Sequence, residues 1–311
     1  MTTTDSKPKP LAIVGPTASG KSAVAMAVAQ SRRADERPIH IVAVDAMQVY
    51  RDMNIGTAKP TTEDQKLVPH HCIDLVDSDQ SFTVAEFKQA ATAALRQINA
   101  ANAQAVLVAG TGLYLTAVID DLTLPGEYPQ VRSSLEAEPD TAVLFGKLFE
   151  LDPVAAKKIE PSNRRRIVRA LEVCLGSGRA FSSFGPGTGA YPENGVVQIG
   201  LLWSRDRLAA RVEQRVQQMM TDGFLDEVKK LHASAQGVSR TAAQALGYRE
   251  LFAHLNGDMS LDEAVHETIV HTRQFAVRQE RWFRRDPRIN WCSVDEDPVG
   301  EIVPIIDGHL R

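Results

Sequence analysis

The stretch Gly15, Pro16, Thr17, Ala18, Ser19, Gly20, Lys21, Ser22 constrains this chain more than any other feature. It matches G-x-x-x-x-G-K-S and stands between the apolar run Leu11 to Val14 and an alanine-rich segment, Lys21 to Gln30, that contains no helix breaker. Strand, glycine loop and helix in that order let successive backbone N–H groups wrap an anion at a helix N terminus. Lys21 would neutralise phosphate charge there, and the Ser22 hydroxyl could coordinate magnesium on that phosphate. The pattern implies a bound di- or triphosphate; it does not say which molecule carries it.

A second apolar run, Ile39 to Val44, ends on Asp45, and a third, Ala105 to Ala109, ends on Gly110; an amphipathic helix is predicted between them over about Thr83 to Ala100. Strands alternating with helices predict an α/β fold, a P-loop NTPase-like parallel sheet flanked by helices. After Gly112 the alternation stops, and a mainly helical domain is expected as an insertion over residues 121–195. Its last part, residues 176–195, holds six Gly and two Pro, which predicts a flexible loop rather than a helix. The sheet core then comprises residues 11–120 and 196–311. It includes a strand from Val196 to Trp203, one helix over about Asp206 to His232 with Leu208, Val212, Val216, Met219 and Leu231 inward, and another over about Leu261 to Phe283 with Leu261, Val265, Ile269 and Ala276 inward. Residues 1–10 read as a flexible tail.

With 43% apolar and 24% charged residues, disorder over most of the length is excluded. No apolar stretch exceeds Ala23 to Ala29, far below the roughly 20 residues that cross a bilayer. Three scattered cysteines form no C-x-x-C pair, which points to a reducing cytoplasm. The net charge of −4 hides local excess: residues 161–215 carry nine Arg and no Lys against four acids, and residues 273–288 six Arg against two. Such faces can grip phosphates, or simply be solvated.

Asp45, at the end of its strand, should emerge at the C-terminal edge of the sheet beside the phosphate loop. A carboxylate there can take a proton from an acceptor or hold metal-bound water; it can also merely cap a helix. The third strand lacks the usual acidic metal residue, which weighs against a plain ATPase. Thr111, in a glycine-bracketed turn, could donate into the same cleft. Arg165 and Arg169 share a helix face while Ile167 and Leu171 turn inward. His70 and His71 are adjacent rather than spaced for zinc.

Taken together the motifs resemble one family, the bacterial-type tRNA dimethylallyltransferases, also called tRNA isopentenyltransferases. The blocks run in family order: the phosphate loop, Asp45-Ala-Met-Gln-Val-Tyr50, Asn54-Ile-Gly-Thr-Ala-Lys-Pro60, Val68-Pro-His-His-Cys-Ile-Asp74, Gly110-Thr-Gly-Leu-Tyr114, Arg164 to Glu172, Ala245-Leu-Gly-Tyr-Arg-Glu250 and Thr272 to Gln279. The resemblance implies transfer of a dimethylallyl group from dimethylallyl diphosphate to the N6 amine of the adenosine 3′ of the anticodon in tRNA, with magnesium as cofactor and pyrophosphate released. It implies Asp45 as general base, with Thr17, Lys21 and Thr111 also catalytic. Gly15 to Ser22 and Arg278 would hold the diphosphate, with Ser22 on the metal. Asp45, Ala46, Met47, Gln48, Thr111, Arg132, Arg165, Arg166, Ile167, Val168 and Arg169 would contact tRNA.

Three positions depart from the family pattern: Ala46 where serine is common, Ala109 where glycine is common, and Val277 where lysine is usual. The expected protein is a cytoplasmic monomer with no membrane partner. An adenylate isopentenyltransferase acting on a free nucleotide, a P-loop small-molecule kinase and a non-catalytic RNA-binding protein are the competing readings. The arginine-rich elements favour a large polyanionic acceptor over a free nucleotide.

Overall fold

The structure, a computed structural model, describes residues 10–35 and 37–309. The expected tail therefore lies, apart from Pro10, outside the described residues. The chain forms two compact units, one of Met1–Ile119 with Glu193–Arg311 and one of Asp120–Pro192.

In the first unit all six strands run parallel, and each is followed by helical structure on a face of the sheet, as crossover connections require. In chain order the elements are β1 (Leu11–Val14), α1 (Lys21–Ser31), β2 (Ile39–Val44), α2 (Thr62–Leu67), β3 (His70–His71), α3 (Val84–Ala100), β4 (Gln104–Ala109) and α4 (Gly112–Ile119). After the second unit come β5 (Val197–Leu202), α9 (Arg205–Thr221), α10 (Phe224–His232), α11 (Arg240–Ala243), α12 (Tyr248–Leu255), α13 (Leu261–Phe283), β6 (Ile289–Ser293) and α14 (Pro298–His309). The numbering leaves α5 to α8 for the second unit. The sheet order is β3-β2-β4-β1-β5-β6.

β1 lies between β4 and β5, so both its edges are paired, and with helices packed over both faces all four of its residues are buried. Its alternation divides them: Ala12 and Val14 join a core with α3, α10 and α12, whereas Leu11 and Ile13 join one with α1 and α14. Truncating a fully packed residue such as Leu107 to alanine would cost about 2–5 kcal/mol. The second unit comprises α5 (Pro129–Glu136), α6 (Thr141–Leu151), α7 (Pro153–Ala156) and α8 (Arg164–Ser177) around a small core of its own that includes Leu144, Leu148, Ile167 and Leu171. Among the described residues no helix is long and apolar enough to cross a membrane.

Several expectations need correction. The long helix over Asp206 to His232 is two, because Gly223 adopts φ 99° and restarts the chain as α10. The Asp222-Gly223 pair carried that signal, since glycine occupies the left-handed region at little cost. In α9, Met219 is half-buried rather than core. In α13 the inward stripe runs through Ala264, Thr268, Ala276 and Gln279, with Leu261 and Val265 half-buried. The glycine-rich loop begins later than Gly176, since α8 continues to Ser177 and closes on Gly178 at φ 70°, and Phe181–Phe184 forms a 3-10 turn. The short β3 and the closing β6 and α14 were not anticipated.

Candidate functional site

The phosphate loop is built from backbone. Gly15, Ala18 and Gly20 all take positive φ, and a side chain at Gly20 would lie 2.6 Å from Pro298 Cγ, so only glycine fits. No side chain caps the N terminus of α1, leaving its first N–H groups for a ligand. The loop is braced from outside: Trp203 Nε1 donates to Ser19 O (3.0 Å), Arg211 Nε to Ala18 O (2.9 Å), and Thr17 N to Gln279 Oε1 (2.8 Å). Ser19 is fully buried, and its Oγ has no hydrogen-bond partner among the described residues.

Lys21 is 8% exposed and donates to Pro16 O at 2.7 Å. Its pKa is pushed down to about 7, first by burial and then by the Arg215 guanidinium, with Asp45 opposing. Arg215, on α9, is itself pulled below its ordinary value by burial, yet an arginine stays charged. Two cations thus face one carboxylate with little water to screen them.

Asp45 closes β2, and its Oδ1 accepts from the backbone N–H of Met47 (2.8 Å) and Gln48 (3.3 Å). A Cβ added at Gly110 would lie 3.3 Å from Oδ2, so the glycine leaves that oxygen room. The Thr111 hydroxyl accepts from Ala46 N at 3.1 Å, tying the end of β4 to the Asp45 turn. Gln279 extends the tie, donating to Gly110 O at 2.7 Å while accepting from the phosphate loop. Ala109 is buried in the core beside this turn, and its methyl fits there.

Thr17, Lys21, Ser22, Asp45, Gln48 and Thr111 line a single cavity of about 570 Å³, as do Ala46, Met47, Arg215 and the exposed Arg278. The sequence reading missed Arg215 and Gln279. Arg215 stands four residues after Arg211 on a helix read only for its apolar stripe, and that i, i+4 basic spacing was the available signal. Gln279 lay at the end of a motif already noted, but its face of α13 could not be assigned from an incomplete stripe.

The remaining expected residues belong to the second unit. Arg165 and Arg166 are exposed and suited to phosphates. Ile167 is fully buried and Val168 is 2% exposed, so as tRNA contacts they are corrected: their side chains form the core that holds α8. Arg169 donates to Pro125 O and Gly126 O and pairs with Glu172. Arg132 pairs with Glu136 and Glu172. Among the described residues no group of three His, Cys, Asp or Glu side chains could hold a metal unaided; His70 instead places Nδ1 2.8 Å from Val68 O, and His71 stacks on His40.

The family model described as IPP transferase matches residues 48–286. A tRNA dimethylallyltransferase of Kineococcus radiotolerans is 45% identical, with 93% of this chain and 92% of that protein covered. One from Desulforudis audaxviator is 40% identical, with 96% and 97% covered. Among solved structures, the full-length tRNA isopentenylpyrophosphate transferase of Bacillus halodurans aligns with a TM-score of 0.68 at 38% identity, covering 98% of this chain and 97% of that one. A eukaryotic dimethylallyltransferase acting on tRNA shares the fold, with a TM-score of 0.76 at 24% identity over 92% and 74% of the two chains. A phosphate loop that shares its cavity with a strand-end carboxylate, in a chain matched over most of its length, makes this protein a member of the tRNA dimethylallyltransferase family.

Proposed function

We propose that this protein transfers the dimethylallyl group of dimethylallyl diphosphate to the N6 amine of the adenosine 3′ of the anticodon in tRNA, releasing pyrophosphate. The observation that carries the reading is the shared cavity: Lys21 and Arg215, beside the phosphate loop, line it together with Asp45 and lie close enough to one another to interact electrostatically. Neutral adenine amine is a poor nucleophile, so transfer needs a base at the nitrogen and cations on the leaving group. The amine nitrogen forms a bond to the allylic carbon as the carbon–oxygen bond breaks. Its proton passes to Asp45, and the electron pair leaves on pyrophosphate. Lys21, Arg215, Arg278 and the N–H groups of the phosphate loop receive that charge.

Ser22, whose hydroxyl is an exposed hard oxygen at the first turn of α1, would hold magnesium together with the diphosphate. The metal would supply further charge neutralisation on the leaving group. Arg165 and Arg166, with Arg132, would meet the tRNA backbone, while Arg169 ties α8 to the carbonyls of Pro125 and Gly126. The reading describes a cytoplasmic monomer, in keeping with three free cysteines.

The test is incubation of purified protein with magnesium, labelled dimethylallyl diphosphate and either an unmodified anticodon stem-loop or free AMP. Label in the stem-loop with equimolar pyrophosphate is expected. Label in AMP alone would make it a free-nucleotide enzyme, and label in neither, with ATP consumed in a parallel incubation to which it is added, would make it a kinase.

A further inference from the structure

The loop Asn54 to Lys59, which lines one side of the cavity, is held by a single carboxylate. Glu227 on α10 accepts from Asn54 N (2.9 Å) and Ile55 N (2.8 Å) on Oε2, and from Gly56 N (3.2 Å) and the Tyr248 hydroxyl (2.5 Å) on Oε1. Three of the partners are backbone N–H groups that can only donate, and the Tyr248 hydroxyl donates here as well, so both carboxylate oxygens are used as acceptors. The loop backbone also sits against the Phe224–Tyr248 edge-to-face pair so closely that a Cβ at Gly56 would fall 2.3 Å from Phe224 Cε2 and 2.5 Å from Tyr248 Cε2. At its far end Lys59, 8% exposed, donates to Tyr50 O, Asn54 Oδ1 and Asp74 Oδ1.

What this clamp fixes is a neighbouring side chain that lines the same cavity. Gln48 Nε2 donates to Thr57 O and Ala58 O, both at 3.1 Å. Two carbonyls facing one end of an amide determine which end is nitrogen, because the reversed amide would set oxygen against oxygen. Both N–H bonds are thereby spent. Oε1 accepts from no donor among the described residues, so Gln48 presents an acceptor to the cavity.

Resting on the function proposed above, we infer that Glu227 and Tyr248 are positioning residues for acceptor choice. By fixing the 54–59 loop they hold Gln48 as a hydrogen-bond acceptor, which favours a 6-amino purine and opposes a 6-oxo purine. Adenine carries a donor at that position, whereas a 6-oxo group would set lone pairs against Oε1.

Equilibrium binding of two anticodon stem-loops, identical but for adenosine or inosine at the acceptor position, tests this with the full-length protein. The wild type should bind the adenosine loop at least about tenfold more tightly, a discrimination within what one committed polar contact gives. Glu227→Gln turns an NH2 toward at least one of the backbone N–H groups that now donate to Glu227, and should bring the ratio to within about threefold of one, mainly by weakening the adenosine loop. Tyr248→Phe keeps the three backbone bonds and should lower the ratio by about twofold to threefold. It carries the test if Glu227→Gln does not fold. Unchanged selectivity in a folded variant, with affinity for both loops lowered equally or kcat alone reduced, would overturn the inference and leave the proposed function standing. A wild type that places no label in the adenosine loop would overturn both.

Discussion

Lys21 and Arg215 in the first unit and Arg164 and Arg169 in the second are all withdrawn from water to some degree, yet their surroundings differ. Arg164 donates to the carbonyls of Glu136, Glu138 and Pro139 and to Thr141 Oγ1. Arg169 is spent on two carbonyls and on Glu172, a carboxylate only 1% exposed. Those cations are consumed in holding α8 in place. Lys21 has one carbonyl for a partner, and its charged form is disfavoured first by burial and then by the neighbouring Arg215. A buried cation without a full set of partners is a site for an anion, whereas a buried cation with one is a piece of structure. The exposed Arg165 and Arg166, whose guanidinium groups make no hydrogen bond or ion pair among the described residues, form a third class suited to long-range attraction.

The first way to break this comparison is to remove the under-partnered cation. Lys21→Met should lower the transfer rate by about 10²–10³, the range seen when one preorganised donor to developing charge is lost; steady-state kcat would show it, with folding checked by thermal melting. Removing the partner in the second unit should instead be a stability lesion. Glu172→Ala removes the counter-charge of Arg132 and Arg169 and the acceptor of Tyr128 N. Because those arginines are 41% and 29% exposed, the full cost of breaking a buried pair is discounted to about 2 kcal/mol, measurable by urea unfolding.

The pKa of Lys21 sharpens the contrast through pH. Held near 7 in the free protein and 10.5 in an unfolded chain, the ammonium is more protonated unfolded than folded between those values, so its burial penalty fades and stability rises as pH climbs through that window. Pyrophosphate binding needs the charged form and should therefore weaken by about tenfold from pH 6 to pH 8. Calorimetry should show this slope flattened in Lys21→Met, which separates it from the ionisation of pyrophosphate itself. The smallest effect is expected at the exposed arginines. The double variant Arg165→Ala, Arg166→Ala should bind tRNA a few-fold more weakly and shift the salt slope by about 1.5, with stability unchanged within about 0.5 kcal/mol.

How far the sequence was legible follows from how local each determinant is. The phosphate loop, its flanking strand and helix, and the emergence of Asp45 from β2 depend on contiguous residues, and the structure has them at the expected places. Thr111 reaches the same cavity because β4 lies next to β2, an order that parallel strands imply but do not fix. Arg215 and Gln279 come from helices late in the chain and are set by the packing of α9 against α13, which no short window records. Ile167 and Val168 show the reverse error. The resemblance implies the whole basic segment as a contact surface, whereas the helical period already turns Ile167 inward and the structure buries Val168 beside it.

The most direct test of the account is single-turnover transfer by Asp45→Asn, with stem-loop and labelled donor both saturating and pyrophosphate affinity measured in parallel. Loss of the carboxylate base should slow transfer by about 10²–10⁴ while pyrophosphate affinity stays within about threefold of the wild type. Transfer within about threefold of the wild-type rate would contradict the assignment of the base, and with it the claim that the two walls of this cavity divide the chemistry between them.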